Sequence, residues 1–310
     1  MRELVDAIEV AVMGGPANSE PAFAKVNLAL HVLSRRADGY HLLDSLVAFA
    51  DLGERIEAAP SPDAEPSLSL GGPFANELDL IAPPQDNLVV KAAELLGNAS
   101  RKRKKHPPTD LHLTKVIPIA AGLGGGSADA AATLRLLNRY WEIGLPEAEL
   151  RTLGLRLGAD VPMCLASRPT RAKGIGEEIT SLSGMPRLPL VLVNPGIPIS
   201  TAAVYAGLER RERRPIPPLP ARFDSVIPFV IWLRQTRNDL TEPVRRLTGL
   251  VDNAVKVLSS EPDCLLARMS GSGATVFGIF PTIARAMLAA DDLRRRRPNW
   301  WVTATETVGS

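Results

Sequence analysis

The sequence has few of the residues that build disulfide frameworks or metal centres. Only two of its 310 residues are cysteine, Cys164 and Cys264, which excludes a disulfide framework and a CxxC metal site. Its four histidines form no HExxH or similar ligand pattern, so no structural zinc is expected. These absences favour a reducing, cytoplasmic location and indicate no metal ligands.

Strong charge bias and long apolar runs are also absent. The formal net charge is +2, whereas a dedicated nucleic-acid binder usually shows a larger or more concentrated basic excess. No apolar run reaches the roughly 18 residues of a membrane helix. The N-terminus carries Glu3, Asp6 and Glu9 where a signal peptide would be basic and then apolar. We therefore expect neither a nucleic-acid partner nor a membrane anchor.

What the chain does have is a globular composition, with 45% hydrophobic and 23% charged residues, and a length sufficient for two domains. Helix and strand patterns are mixed without a regular βαβ alternation, which favours an α+β fold. Residues 1–20 end in a Gly-Gly-Pro cluster and are interpreted as an N-terminal extension. The predicted strands are Ala24–Leu33, Leu43–Leu52, Arg55–Ala59, Leu111–Ile119, Leu188–Val193 and Ala274–Phe280. The predicted helices are Asn87–Leu96, Ser127–Trp141, Pro146–Leu157 and segments near 238–258 and 282–296.

The most informative segment is the glycine run in PIAAGLGGGSAD, residues 118–129. Four glycines in five positions can adopt positive φ angles and bring backbone N–H groups close to an anion. The helix that follows adds unpaired N–H groups and the positive end of its dipole. Ser127 is placed to cap this helix and to meet a metal ion or the γ-phosphate. The pattern predicts a loop that binds the phosphates of a nucleotide.

Two familiar phosphate motifs do not fit this loop. No Lys-Ser/Thr pair follows the glycines as in a Walker A loop, and Ser127 replaces the third glycine of the dinucleotide fingerprint. The remaining alternative is a flexible glycine turn ahead of a capped helix.

Lys25 and Asp160 are the candidate catalytic pair. Taken singly, Lys25 in AKVNL fits a solvated strand lysine, and Asp160 in GADVP fits an ordinary turn aspartate. In combination with a phosphate loop they supply what phosphoryl transfer needs. These needs are neutralisation of phosphate charge and a carboxylate that orients or deprotonates the attacking hydroxyl.

Several motifs in order along the chain resemble one branch of the GHMP (galactokinase, homoserine, mevalonate and phosphomevalonate) kinase superfamily, the branch that acts on a cytidine-diphosphate-linked methylerythritol. The resemblance runs from about residue 21 to about residue 281, and RADGYH and LGADVP are its more specific motifs. The position before Ala24 is Phe23, where the family usually has proline. The full set is AKVNLALHV, RADGYHLLDSLVAF, DNLVVKAA, IPIAAGLGGGSADAAA, LGADVP, GIGE and MSGSGATVFGIF.

The resemblance implies a two-domain α+β fold with the active site in the cleft between an ATP-binding domain, 21–185, and a C-terminal domain, 186–310. It implies ATP as phosphoryl donor with Mg²⁺, and the 2-hydroxyl of 4-diphosphocytidyl-2-C-methyl-D-erythritol as acceptor in the non-mevalonate isoprenoid pathway. Lys25 and Asp160 become the catalytic pair. The implied nucleotide-binding residues are Asn87, Lys115, Pro118, Ile119, Ala120, Ala121, Gly122, Leu123, Gly124, Gly125, Gly126, Ser127 and Ala128. The implied substrate-binding residues are Asn27, Tyr40, His41, Thr201, Tyr205, Gly271 and Gly273.

The base-binding roles make physical sense, because Tyr40 and Tyr205 are two of only three tyrosines and aromatic rings hold a flat base by stacking. The alternative is that both tyrosines pack in the core.

Two other functions remain open at this point. One is a superfamily kinase acting on homoserine, mevalonate or a sugar, which would keep the glycine loop but has no need of the Tyr40–His41 pair. The other is a non-catalytic nucleotide-binding or nucleic-acid-binding protein that uses the basic run Arg101–Lys105, although such runs are usually solvated loops. The sequence predicts no oligomeric state.

Overall fold

The computed structural model describes residues 17–63, 67–81, 83–100, 106–209 and 214–309. Most of the predicted N-terminal extension and the basic run 101–105 lie outside these residues. Within the described ranges, no helix is both long and apolar enough to cross a membrane.

Strands and helices are interspersed along the chain, as expected of an α+β protein. The strands are β1 (Ser19–Arg35), β2 (His41–Pro60), β3 (Leu68–Gly71), β4 (Thr109–Thr114), β5 (Thr170–Gly174), β6 (Glu178–Ser181), β7 (Pro189–Asn194), β8 (Leu266–Met269), β9 (Val276–Ile279) and β10 (Trp301–Glu306). The α-helices are α1 (Ala75–Ile81), α2 (Leu88–Ser100), α3 (Gly125–Tyr140), α4 (Glu147–Leu157), α5 (Val161–Ala166), α6 (Thr201–Ala206), α7 (Val226–Leu233), α8 (Thr241–Leu247), α9 (Leu250–Ser259) and α10 (Ile283–Arg296).

The first of two compact units comprises the described parts of Met1–Ala24, Leu52–Ile119 and Gly124–Ala166. In this unit the end of β2 pairs antiparallel with β4, and β3 pairs parallel with β4. Helices α2 to α5 pack against one another. The helix stripe predicted for residues 130–141 is confirmed, because Ala130, Leu134, Leu137 and Trp141 are all buried.

The second unit comprises Lys25–Asp51, Ala120–Leu123 and Ser167–Ser310. Here β2 pairs antiparallel with β5, and β5 pairs with β6. A separate antiparallel sheet has the order β10-β7-β9-β8. Its core is apolar and includes Val191, Val193, Val276 and Phe280, all almost fully buried. Each such side chain contributes roughly 1.5–3 kcal/mol through burial.

Two glycines that suggested breaks in the sequence lie inside regular elements instead. Two strands were predicted on either side of Gly53, but β2 continues through it. A Cβ atom at Gly53 would lie 2.2 Å from the carbonyl oxygen of Ala22, so glycine permits close approach of β1. The prediction that helix α2 ends at Gly97 is also wrong. A Cβ there would lie 2.9 Å from Nε2 of His106, whose ring stacks on Trp141 at 3.9 Å.

Candidate active site

The glycine run leads into the N-terminal end of helix α3. Gly124 is the residue before the helix and has φ 68°, a left-handed conformation that favours glycine. No side chain caps this helix end, so the prediction that Ser127 is the cap is wrong. Ser127 instead lies in the first turn, half-buried, beside the exposed Gly126. The free N–H groups of this turn remain suited to an anion.

Three charged side chains are buried against the first turn of α3 in the first unit. The ammonium group of Lys115 donates to Oε2 of Glu54 at 2.5 Å and to Oδ2 of Asp129 at 3.0 Å. All three side chains are at least 96% buried. A Cβ atom on Gly125 would lie 3.3 Å from Glu54 Oε2 and 3.7 Å from Lys115 Nζ. The backbone of the phosphate loop therefore rests directly on this triad.

The environment of the triad shifts two pKa values. Burial raises the pKa of Glu54 well above its ordinary value, and the neighbouring Asp129 raises it further against the effect of Lys115. Burial alone would lower the pKa of Lys115, but the two carboxyl groups raise it above its ordinary value. Lys115 is therefore a fixed cation at neutral pH. Sequence reasoning missed Glu54 and Asp129. Glu54 does not stand out in the sequence of β2, because that strand carries four other charged residues, Asp44, Asp51, Arg55 and Glu57.

In the second unit, residues 120–123 pack closely against residues 270–275 and form hydrogen bonds with them. Gly122 has φ 74°, and a Cβ there would lie 2.4 Å from the carbonyl oxygen of Gly273. The Ser270 hydroxyl donates to the carbonyl oxygen of Gly122 at 3.2 Å, and the backbone N–H of Thr275 donates to Ala121 at 3.1 Å. The structure thus brings the start of the glycine run together with Gly271 and Gly273. The role of these glycines in substrate binding stays a prediction.

Lys25 and Asn27 enter the same part of the second unit from β1. The backbone N–H of Lys25 donates to the carbonyl oxygen of Leu123 at 2.8 Å. Lys25 is 7% exposed. The backbone N–H of Asn27 donates to the Ser270 hydroxyl, and its Nδ2 donates to the Ser45 hydroxyl. Among the described residues, the buried Oδ1 of Asn27 has no hydrogen-bond partner. A Cβ atom on Gly271 would lie 3.1 Å from this oxygen.

Asn238 is a further residue of this cluster that the sequence analysis did not find. Its Nδ2 donates to the carbonyl oxygens of Met269 and Gly271, at 2.9 and 2.8 Å. Its Oδ1 accepts from the backbone N–H of Leu240. Asn238 therefore fixes the course of the chain around the glycines of this motif.

Asp160 belongs to the first unit, whereas Lys25 belongs to the second. Asp160 is half-buried in the turn between α4 and α5, and its carbonyl oxygen accepts the first hydrogen bond of α5 from Cys164. Helix α4 ends before this turn as predicted, and Pro162 fits the first turn of α5 because its missing N–H is not needed there. The catalytic pairing of Lys25 and Asp160 stays a prediction.

Some of the residues expected to bind the cytosine base contact one another. The rings of His41 and Tyr205 are 5.2 Å apart and tilted by 32°, while Tyr40 is 61% exposed. Burial lowers the pKa of His41, and the charge of Arg35 lowers it further, so the imidazole is neutral at pH 7. The hydroxyl groups of Thr201 and Ser272 lie 2.8 Å apart.

Asn87 caps helix α2, since its Oδ1 accepts from the backbone N–H of Val89 at 2.9 Å. This helix end faces the glycine run, because a Cβ on Gly126 would lie 3.5 Å from Cδ1 of Leu88. The expected proximity of Asn87 and Lys115 to adenine stays a prediction. Among the residues that the structure describes, no group of three or more His, Cys, Asp or Glu side chains could hold a metal ion.

Two family models match the chain in order. The model described as GHMP kinases N terminal domain matches residues 87–168, and the one described as GHMP kinases C terminal matches residues 231–299. The α+β fold and its glycine loop are therefore those of a GHMP kinase. Neither match reaches the domain boundary expected between residues 185 and 186, which stays a prediction.

Nearly the whole chain is similar to proteins of one branch. A 4-diphosphocytidyl-2-C-methyl-D-erythritol kinase of Chelativorans sp. (strain BNC1) is 48% identical over 287 residues, 93% of this chain and 95% of that protein. A crystal structure of 4-(cytidine 5'-diphospho)-2C-methyl-D-erythritol kinase is 31% identical with a TM-score of 0.72, and covers 94% of this chain and 100% of that one. The chain belongs to the family of 4-diphosphocytidyl-2-C-methyl-D-erythritol kinases.

A more distant neighbour shows that the fold does not decide the substrate. The homoserine kinase of Cytophaga hutchinsonii ATCC 33406 is 15% identical, with a TM-score of 0.66 and coverage of 96% of both chains. At this identity the likeness concerns the fold alone. The choice among acceptors must therefore come from particular side chains.

Proposed function

We propose that this protein transfers the γ-phosphoryl group of ATP to the 2-hydroxyl of 4-diphosphocytidyl-2-C-methyl-D-erythritol, in the non-mevalonate route to isoprenoid precursors. The protein is a kinase with an alcohol as acceptor. The observation that carries this function is the 48% identity to a kinase of that name over 93% of the chain. Since ATP is the donor, the proposal includes a cytoplasmic location.

In the proposed reaction Asp160 takes the proton of the acceptor hydroxyl. The hydroxyl oxygen then forms a bond to the γ-phosphorus while the bond from that phosphorus to the β,γ-bridging oxygen breaks, and ADP leaves. Lys25 stabilises the negative charge that develops on the transferred group. Its nearly complete burial supports this task, because a charge is more effective where water is excluded.

Asn27 is the proposed contact for the methylerythritol end of the acceptor. Its Oδ1 is buried and without a partner among the described residues, whereas its Nδ2 is held by Ser45. A buried amide oxygen without a partner is unfavourable, so a hydroxyl donor at this position would be bound with the full benefit of one hydrogen bond.

The nucleotide is assigned to the glycine run and the first turn of α3. Gly122 and Gly124 adopt positive φ angles there, and no side chain caps the N-terminal end of the helix. Mg²⁺ fits this arrangement without a cluster of carboxylates, because it keeps several waters and binds mainly through substrate phosphates. Ser127, in the first helical turn, is the hydroxyl proposed to meet the metal ion or the γ-phosphate.

The cytosine is assigned to Tyr40, His41 and Tyr205. Tyr40 presents an exposed ring for stacking, and the neutral His41 has one hydrogen-bond donor and one acceptor for the edge of a base. Because His41 and Tyr205 already touch, Tyr40 is the ring most open to a base.

A substrate panel with labelled ATP tests the function. We expect phosphorylation of the cytidine-diphosphate-linked methylerythritol and none of free methylerythritol, homoserine or mevalonate. Stacking contributes about 1–3 kcal/mol per base, so Tyr40→Ala should raise the KM of the acceptor roughly 5- to 150-fold and change kcat less. The matched control is Tyr140→Ala, on the last residue of α3. Equal turnover of free methylerythritol, or an unaltered KM in Tyr40→Ala, would contradict the proposed cytosine recognition.

A further inference from the structure

The segment between helices α7 and α8 is not used by any step of the proposed reaction. It runs beside β1 in the second unit, where the backbone N–H of Leu30 donates to the carbonyl oxygen of Arg237 and the N–H of Asp239 donates to that of Leu30. Leu30 and Asn238 thereby form a parallel β-bridge. The segment is therefore attached to the strand that carries Asn27.

The side chain of Asn238 binds the backbone that leads from β8 towards β9. Its amide nitrogen donates to the carbonyl oxygens of Met269 and Gly271, which uses both N–H bonds of the amide. Its amide oxygen accepts from the backbone N–H of Leu240. Asn238 is 6% exposed, so water cannot readily replace these hydrogen bonds. Removal of the amide would therefore take a donor from the buried Gly271.

Arg268, on β8, ties the start of the same segment to β1. Its guanidinium group donates to the carbonyl oxygen of Leu28 at 2.8 Å, and to the hydroxyl and carbonyl oxygens of Thr236, both at 2.9 Å. Burial lowers the pKa of Arg268 to about 10, and among the residues that the structure describes no carboxylate offsets this effect. Because the guanidinium fork is rigid and planar, it fixes the distance between the two segments that it joins.

Both attachments end at neighbours of the Asn27 amide oxygen, which is buried and has no hydrogen-bond partner within the described part of the chain. Arg268 holds the carbonyl group of Leu28, the residue after Asn27 in β1. Asn238 holds the carbonyl group of Gly271, whose Cβ position lies 3.1 Å from Asn27 Oδ1. The width of the gap between Asn27 and Gly271 therefore depends on both side chains.

We propose that Asn238 and Arg268 are positioning residues for the acceptor, because they set the gap between Asn27 Oδ1 and Gly271 in which an acceptor hydroxyl binds. This inference rests on the proposed function, since it takes that oxygen to be the contact of the methylerythritol end. Each side chain acts through a backbone carbonyl group and not by contact with the reacting groups. A misplacement of about 1 Å can lower a rate roughly 10²-fold, so loss of either attachment is measurable as turnover.

Nucleotide binding should depend less on these two residues, because the start of the glycine run is held by hydrogen bonds of its own. The Ser270 hydroxyl donates to the carbonyl oxygen of Gly122, and the backbone N–H of Thr275 donates to that of Ala121. Neither bond involves a positioning residue. The proposal therefore predicts a loss that is confined to the acceptor, whereas a general loss of stability would affect both substrates.

Steady-state kinetics with the cytidine-diphosphate-linked methylerythritol, together with calorimetric titration with ADP, test this role. In Asn238→Ala the kcat/KM for the acceptor should fall about 10- to 100-fold, while ADP affinity stays within about twofold of wild type. The matched control is Asn138→Ala, because the Asn138 amide likewise binds a backbone carbonyl and a backbone N–H, both of Leu145, in the first unit. This control should lower the melting temperature and leave kcat/KM and ADP affinity unchanged.

A double-mutant cycle separates positioning from stability. If Asn238 acts through Asn27, then Asn238→Ala should lower kcat/KM by no more than about twofold once Asn27→Ala is present. Fully multiplicative effects of the two substitutions would overturn the proposal. A near-normal kcat/KM in Asn238→Ala, or equal losses of kcat/KM and ADP affinity, would overturn it as well.

If Asn238→Ala does not fold, Arg268→Lys provides the test. Lysine keeps the positive charge but replaces the fork with a single ammonium group, which cannot bind Leu28 and Thr236 in the same geometry. The kcat/KM for the acceptor should fall about tenfold with unchanged ADP affinity, and wild-type kinetics in this variant would overturn the proposal. A wild type that binds ADP but does not phosphorylate this acceptor would instead refute the proposed function.

Discussion

Strand β2 carries two fully buried carboxyl groups, Asp44 and Glu54, in opposite electrostatic states. Asp44 accepts two hydrogen bonds from Arg171, at 2.8 and 2.7 Å, and one from the backbone N–H of Ile216 at 3.0 Å. Although burial alone would raise its pKa, these partners hold the pKa of Asp44 below its ordinary value. The pKa of Glu54 is raised, and its Oε1 lacks a partner among the described residues.

The hydrogen bonding of these two carboxyl groups distinguishes a charged group that stabilises the fold from one that serves the site. Asp44 has partners for both oxygens and needs nothing further, which is the arrangement of a group that holds the fold together. Glu54 is paired on one side only and lies against the phosphate loop. Burial by itself does not distinguish the two roles, whereas the completeness of hydrogen bonding does.

The largest effect is expected for a third carboxyl group, Asp160, which is only half-buried. Asp160→Asn keeps the shape of the side chain but removes its basicity, so kcat should fall by about 10²–10⁴-fold. The melting temperature and ADP affinity should remain near wild type, because asparagine fills the same volume in this half-buried turn. Steady-state kinetics with thermal unfolding provide the measurement, and near-normal kcat would remove Asp160 from the catalytic pair.

The next largest effect is expected on stability, with no change in turnover. Asp44→Asn leaves Arg171 without its carboxylate, and breaking a buried pair in this way costs about 3–5 kcal/mol. A carboxyl group with a lowered folded pKa stabilises the protein above its unfolded pKa of about 3.9, and this contribution is lost as the pH falls through the folded pKa. The deficit of Asp44→Asn should therefore be largest near neutral pH and shrink in acid.

Denaturant unfolding of wild type and Asp44→Asn between pH 3 and 7 measures this effect. Turnover per folded molecule should be unchanged, and Asp51→Asn serves as control because its ion pair with Arg187 is exposed. A constant deficit across this pH range would show that Asp44 does not act through its charge.

The sequence predicted the parts of the site that depend on local chemistry. The glycine run, the buried stripe of α3 and the end of α4 follow from conformational freedom and helix period, which a short window reveals. The capping residue was wrong because the helix begins at Gly125, two residues before Ser127, so the cap position falls on Gly124. The Lys115–Glu54 contact joins residues 61 positions apart. No local pattern encodes such a contact, and the Asn27–Ser270 bond, 243 positions apart, was missed for the same reason.

The smallest effect should come from Glu54→Gln, and it should run opposite to that of Asp44→Asn. A carboxyl group with a raised folded pKa contributes most to stability below its unfolded pKa of about 4.3, and this contribution declines as the pH rises through the folded pKa. The amide that Glu54→Gln introduces cannot titrate, so the variant should gain stability relative to wild type between acid and mildly alkaline pH. A pKa difference of one unit corresponds to about 1.4 kcal/mol, and a shift of at least this order is expected. Denaturant unfolding from pH 4 to pH 9 measures it. Parallel pH profiles for wild type and variant would mean that Glu54 titrates alike in the folded and the unfolded state, and the contrast between the two carboxyl groups of β2 would then disappear.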